Sequence, residues 1–114
     1  MKKLVILLFI GLIILTLSCK KDDDDNQPPT AKFTCPSESV IGHKIMFNAS
    51  ASDDPDGDII HYSWNFGDEH TQDTIINQIG HIYSKSGIYF VELRVFDAEN
   101  WSSSCAKYII IRKL

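Results

Sequence analysis

The sequence lacks the short signatures of catalysis. It has no G-x-S-x-G, no phosphate-binding Gly loop and no Cys–His pair in an evident cleft. The four histidines, His43, His61, His70 and His81, show no metal spacing such as H-x-x-x-H. A basic surplus is also missing, since eleven Lys+Arg stand against fifteen Asp+Glu for a formal net charge of −4. That argues against a nucleic-acid binder, which must meet phosphates. No helical stretch and no internal repeat competes with the pattern described below. With 114 residues there is room for one small core and little for a deep pocket. A multidomain enzyme or a large barrel is excluded. No catalytic residue and no required cofactor is expected.

What is present divides into three unlike segments: 1–18, 19–30 and 31–114. Lys2 and Lys3 precede an apolar run, Leu4 to Leu17, broken only by Gly11 and Thr16. Fourteen helical residues rise about 21 Å, short of the roughly 30 Å bilayer core, so the run reads as a signal-peptide h-region. It ends in Leu15-Thr16-Leu17-Ser18-Cys19. Residues 20–30 follow, with Lys20-Lys21 and then Asp22 to Asp25, a solvated and disordered acidic tether. Asn26-Gln27-Pro28-Pro29 closes it, the two prolines favouring an extended approach to the first strand.

Residues 31–114 alternate. Ala31, Phe33 and Cys35 form one such series, and Ile45, Phe47 and Ala49 a second. Ile60, Tyr62, Trp64 and Phe66 form a third, Tyr89, Val91, Leu93 and Val95 a fourth, and Ile109 and Ile111 the last. Period two with β-branched and aromatic enrichment predicts strands with one face buried. Thr74 to Ile79 is the most ragged candidate strand. Turn signals separate the runs at Pro36-Ser37, Gly42, Asp53 to Asp58, Gly67-Asp68-Glu69, Ser84 to Gly87 and Asp97 to Asn100. The fold class is all-β, a sandwich of about seven strands.

Three resemblances add to this reading. Ser18-Cys19 after an h-region resembles the lipobox of bacterial lipoproteins, although Thr16 and Leu17 hold places usually taken by Leu and a small residue. It implies cleavage before Cys19 and lipidation of its thiol, and two or more acyl chains anchor stably. The acidic run after Cys19 resembles the export signal of Bacteroidetes surface lipoproteins. It implies an outer-membrane protein, lipid-anchored and facing outward. Third, an ordered set of motifs resembles the PKD domain, an immunoglobulin-like β-sandwich named after the polycystic kidney disease protein. The set includes Gln27-Pro28-Pro29, Ser52 to Asp58, Trp64-Asn65-Phe66-Gly67-Asp68, His81-Ile82-Tyr83, Gly87-Ile88-Tyr89 and Asp97. The family motif W-D-F-G-D-G is here W-N-F-G-D-E, so Asn65 and Glu69 depart from it. The resemblance implies a non-catalytic domain that contacts protein or carbohydrate, or acts as a spacer. The partner is an unknown surface protein or polysaccharide; a glycan-binding accessory protein of a polysaccharide-uptake system is the alternative.

Individual residues carry these expectations. Trp64 and Phe66 belong to the core, and Tyr83 is placed to act as a tyrosine corner. Gly67 makes a sharp turn in which the Asp68 carboxylate bonds backbone amides, and Glu69 requires any positive φ there to be relieved or moved. Gly87 and Tyr89 complete the structural motif. Trp101, in a turn, is a candidate ligand contact. Asp53, Asp54, Asp56 and Asp58 offer hard oxygen ligands for a structural Ca²⁺, but their Gly and position-twelve residues do not match an EF-hand. The competing reading is turn hydrogen bonding and solvation. Cys35 and Cys105 share the inward parity of their runs, and the first and last strands of Ig-like sandwiches lie close together. An oxidising exterior favours a bridge between them; otherwise they are buried free thiols. Such a bridge would contribute on the order of 4 kcal/mol.

Overall fold

The computed structural model describes residues 26–114. The candidate leader, Cys19 and the acidic run to Asp25 lie outside the described residues. Seven strands form: β1 (Glu38–Val40), β2 (Lys44–Asn48), β3 (Ile59–Asn65), β4 (Thr71–Thr74), β5 (Gln78–Ile82), β6 (Gly87–Asp97) and β7 (Ser102–Arg112). There is no helix among the described residues. One sheet has five strands in the order β1-β7-β6-β3-β4, and the other pairs β2 with β5. All pairings are antiparallel except β1 with β7. This is the sandwich that the alternation predicts.

The core lies between the sheets. Ile45, Phe47 and Ala49 come from one side; Tyr62, Trp64, Phe66, Val91, Leu93, Val95, Ile109 and Ile111 come from the other. Trp64 is fully buried and joins the layers. Phe33 meets it edge-on at 5.2 Å between centroids, Phe47 lies 5.7 Å away and Phe66 is stacked at 6.1 Å. Tyr83, also fully buried, donates its hydroxyl to the Phe66 carbonyl at 2.7 Å. This contact ties the segment after β5 to the end of β3, as the tyrosine-corner reading requires. Burial raises the Tyr83 pKa, and the nearby Asp68 charge raises it further.

Four local expectations are corrected. Residues 31–35 form no strand; the segment is extended and held by single bridges, Thr30 to Asp53 and Thr34 to Asn48. Between the bridges the Lys32 backbone bonds the Ser52 hydroxyl rather than a strand, so Ala31 and Phe33 are buried without a ladder. The stretch 74–79 is divided: β4 ends at Thr74, a turn leaves Ile75 and Ile76 exposed, and β5 begins at Gln78. Ile60 is half exposed because the register shifts between Ile59 and His61, and Ile59 packs against the core instead. Glu69 keeps its positive φ of 71°. The turn around it, closed by Phe66 N–H donating to the His70 carbonyl at 3.1 Å, over-determines that angle.

Of the two readings of the cysteines, the structure has the free thiols. Cys35 and Cys105 are free, each partly buried against the core. Cys105 shares a hollow with Ala31 and Phe33. Cys35 lies two residues further along, and two extended residues span about 6.6 Å. The inward parity is correct, but the alignment puts Phe33 over Cys105. Burial pushes both thiols up, and the nearby Lys107 pulls each partly back.

Candidate functional sites at the two ends of the sandwich

At the start of β3 and the end of β6, carboxylates converge. Asp54 is buried; its Oδ1 accepts the Asp56 amide at 2.9 Å, an Asx turn. Asp97, paired in register with Ile59, is buried beside it. Its Oδ1 accepts the Glu99 and Trp101 amides, both at 2.9 Å, and its Oδ2 accepts the Asn26 side-chain amide at 3.2 Å. Burial alone would raise the Asp97 pKa. The hydrogen bonds from the Trp101 amide, the Asn26 side chain and the Glu99 amide outweigh it and hold the carboxyl below its usual range. Asn26, Asp54, Asp56, Asp58, Asp97 and Glu99 line one small concavity.

The acidic turn is therefore reorganised relative to its sequence reading. Asp54, Asp56 and Asp58 face the concavity; Asp53 does not line it, because its backbone is bridged to Thr30 at 2.6 and 3.0 Å. Asp56 spends one oxygen on the Gln27 amide. Asn26, Asp97 and Glu99 join from elsewhere, which spacing along 53–58 does not reveal. Two buried carboxylates side by side, with an amide oxygen at the rim, are hard donors that suit Ca²⁺. Trp101 is 48% exposed at this same end.

At the other end of β3 the chain turns through Gly67, where φ is +84°. A side chain there would place its first carbon 2.7 Å from the Phe90 carbonyl oxygen, so only glycine fits. The turn delivers Asp68 to β5. Asp68 Oδ1 accepts the His70 amide at 3.2 Å, as the sequence predicts. Its Oδ2 lies 2.7 Å from His81 Nε2, and its Oδ1 lies 3.3 Å from His70 Nδ1. Burial alone would raise the Asp68 pKa; His81, with the His70 contacts, holds it below its usual range.

A third feature lies on the solvent face of the large sheet. Register puts Phe90 opposite Tyr108 and Ile88 opposite Ile110, and all four are exposed. The Phe90 and Tyr108 rings lie 4.8 Å apart. In sequence, Phe90 stands on the outward side of the β6 alternation and, with Phe96 and Trp101, is one of the few candidate exposed aromatics. The pairing that makes a surface of it is tertiary.

Comparison with known proteins agrees with this architecture. A collagenase from Bacillus cereus strain Q1, ColQ1, is 34% identical over 81% of this chain, and the chain spans 9% of that protein. A structure from work on the promiscuous specificity of carbohydrate-binding modules of the β-sandwich superfamily aligns with a TM-score of 0.76 and 38% identity, covering 78% of this chain and 36% of that one. The PKD1 domain of the Vibrio cholerae metalloprotease PrtV aligns at 0.65 with 30% identity, over 75% of this chain and 99% of that one. With residues 26–110 matching the model of the PKD domain, and with the Trp64, Gly67-Asp68 and Tyr83 contacts in place, the chain belongs to the PKD domain family.

Proposed function

We propose that this protein is a non-catalytic lipoprotein, anchored in the outer membrane through Cys19, that presents its PKD domain for contact with a surface protein or polysaccharide. The observation that carries the contact role is the exposed Phe90–Tyr108 pair, flanked by Ile88 and Ile110, on the solvent face of the five-stranded sheet. A row of large apolar groups left open to water is suited to contact rather than to simple spacing. The anchor rests on the apolar run ending at Cys19 and on the acidic segment after it. The acidic end takes a structural Ca²⁺ on Asp54 and Asp97, which the charge and burial of those carboxylates support.

The glycan-binding reading has its own support. Paired exposed aromatics stack on sugar rings, and one related structure comes from work on carbohydrate-binding modules. The test is co-sedimentation of the full chain with insoluble polysaccharides and with insoluble collagen. Replacing Phe90 and Tyr108 together by Ala is expected to abolish retention without lowering the unfolding midpoint. Retention by the double variant would move the contact elsewhere. For the anchor, the intact mass of protein from its native membrane should match a chain starting at Cys19 with acyl groups; an unmodified mass would sink that part.

A further inference from the structure

Asp68, His70 and His81 are the three metal-ligating side chains whose donor atoms come within 4.8 Å of one another among the described residues. We infer that they form a site for a borderline divalent cation, Zn²⁺, that clasps the two sheets together. Asp68 and His70 lie in the connection from β3 to β4 of the large sheet, and His81 lies on β5 of the small one. A metal held by all three therefore bridges the layers at this end.

The donors suit zinc. Two imidazole nitrogens and one carboxylate oxygen form a mixed set that zinc accepts and calcium does not favour. With bonds near 2.0–2.1 Å, ligand atoms around a tetrahedral ion stand about 3.3 Å apart. His70 Nδ1 lies 3.3 Å from Asp68 Oδ1 and His81 Nε2 lies 2.7 Å from the other oxygen, Oδ2; one donor atom from each residue stands within 4.8 Å of the others, so the groups must draw in on one carboxylate oxygen to close the site. Two of the three are pre-positioned. The His81 ring is stacked on Phe66 at 4.0 Å and 4°, with Tyr83 edge-on at 4.7 Å. Asp68 is held by the His70 amide. His70 is largely exposed, so its ring alone must be ordered to close the site.

Binding needs lone pairs on both nitrogens. His81 Nε2 now shares a proton with Asp68; that proton moves to Nδ1 by tautomerisation or leaves to solvent, and the nitrogen is freed for the metal. Three protein ligands leave a fourth position, which water fills. The inference is independent of the contact face and of the acidic end, since it uses none of their residues.

The test is a ZnCl₂ titration of the full chain in mild detergent, followed by calorimetry and by ¹⁵N shifts of the imidazole nitrogens. One-to-one micromolar binding is expected, with shifts at His70 Nδ1 and His81 Nε2 and a raised unfolding midpoint. His70→Gln, at an exposed position that leaves the packing intact, should weaken binding on the order of tenfold or more. His61→Gln, in the separate His61–Asp73 pair at 3.9 Å, should leave it unchanged. Excess CaCl₂ should not displace the zinc. No binding at millimolar zinc, wild-type affinity in His70→Gln, or shifts confined to other histidines would each overturn the site.

Discussion

The two ends of β3 differ in what they gather, although both are built from a turn and a buried Asp. At its start, Asp54 meets Asp97 and the remaining donors are all oxygens. At its far end, Asp68 meets two imidazoles, one of which, His81, is stacked on Phe66 with Tyr83 edge-on. Seven strand residues separate them, roughly 23 Å. One concentrates carboxylates in a hollow open to water; the other pairs its carboxylate with His81 Nε2 at 2.7 Å. The same scaffold thus offers one end whose donors are oxygens and one end that adds imidazole nitrogens. The difference lies in the chain that returns: β6 brings an acid to one end, and β5 brings a histidine to the other.

The most drastic way to break this comparison is to remove what both ends share. Trp64→Ala should cost about 3–5 kcal/mol, because a fully buried indole leaves a cavity between the sheets. Urea unfolding should show the loss, with both ends failing together; a cost near zero would mean that the layers do not depend on this ring.

A sharper cut separates the ends. Asp97→Asn keeps an oxygen for the Glu99 and Trp101 amides but deletes one of the two buried charges. The thermal shift induced by CaCl₂ should weaken on the order of tenfold in concentration dependence, since ligand charge sets affinity. The zinc response should be unchanged. A calcium response equal to that of the wild type would remove Asp97 from that end.

Next comes an alkaline effect at the histidine end. The folded protein holds Tyr83 neutral, with its pKa raised by burial and by the Asp68 charge. A raised folded value means that this stabilisation is complete below the unfolded value near 10 and is lost as pH rises above it. Tyr83→Phe should flatten the alkaline limb of the stability–pH curve. Tyr62, also raised by burial, leaves part of the limb in place. An undiminished limb in Tyr83→Phe would assign it to other groups.

The smallest effect concerns Glu69, which stands at φ 71° where the family motif has Gly. Glu69→Gly should stabilise by about 0.5–1 kcal/mol, the left-handed strain released less the chain entropy that glycine adds. A destabilised variant would show that the Glu side chain contributes more than its backbone costs.

Some of the site was legible in the sequence and some was not. Asp68 and its turn could be read from Gly67-Asp68, because the chemistry is local: a left-handed residue followed by a carboxylate reaching its own next amides. The histidine cluster could not. His70 and His81 are eleven positions apart, and their meeting depends on β5 crossing to the other sheet. Asp97 was visible as a turn residue and as the last of the family motifs, but not as the partner of Asp54, which its pairing with Ile59 makes it.

The sequence by itself determined which faces are buried. Phe47, Trp64, Leu93 and Ile109 are inside because water excludes the apolar side of any strand that alternates. It also determined where the chain turns, since Gly67 and the Asp-rich loops carry their own backbone preferences. Only the tertiary structure decided which turns meet. It set the bulge that expels Ile60, the alignment that puts Phe33 over Cys105, the row that exposes Phe90 beside Tyr108, and the two ends where distant donors converge. Alternation repeats every two residues wherever it occurs, so it specifies a face but not a neighbour. Neighbours follow from sheet order and register, and those are settled when both layers close on one core.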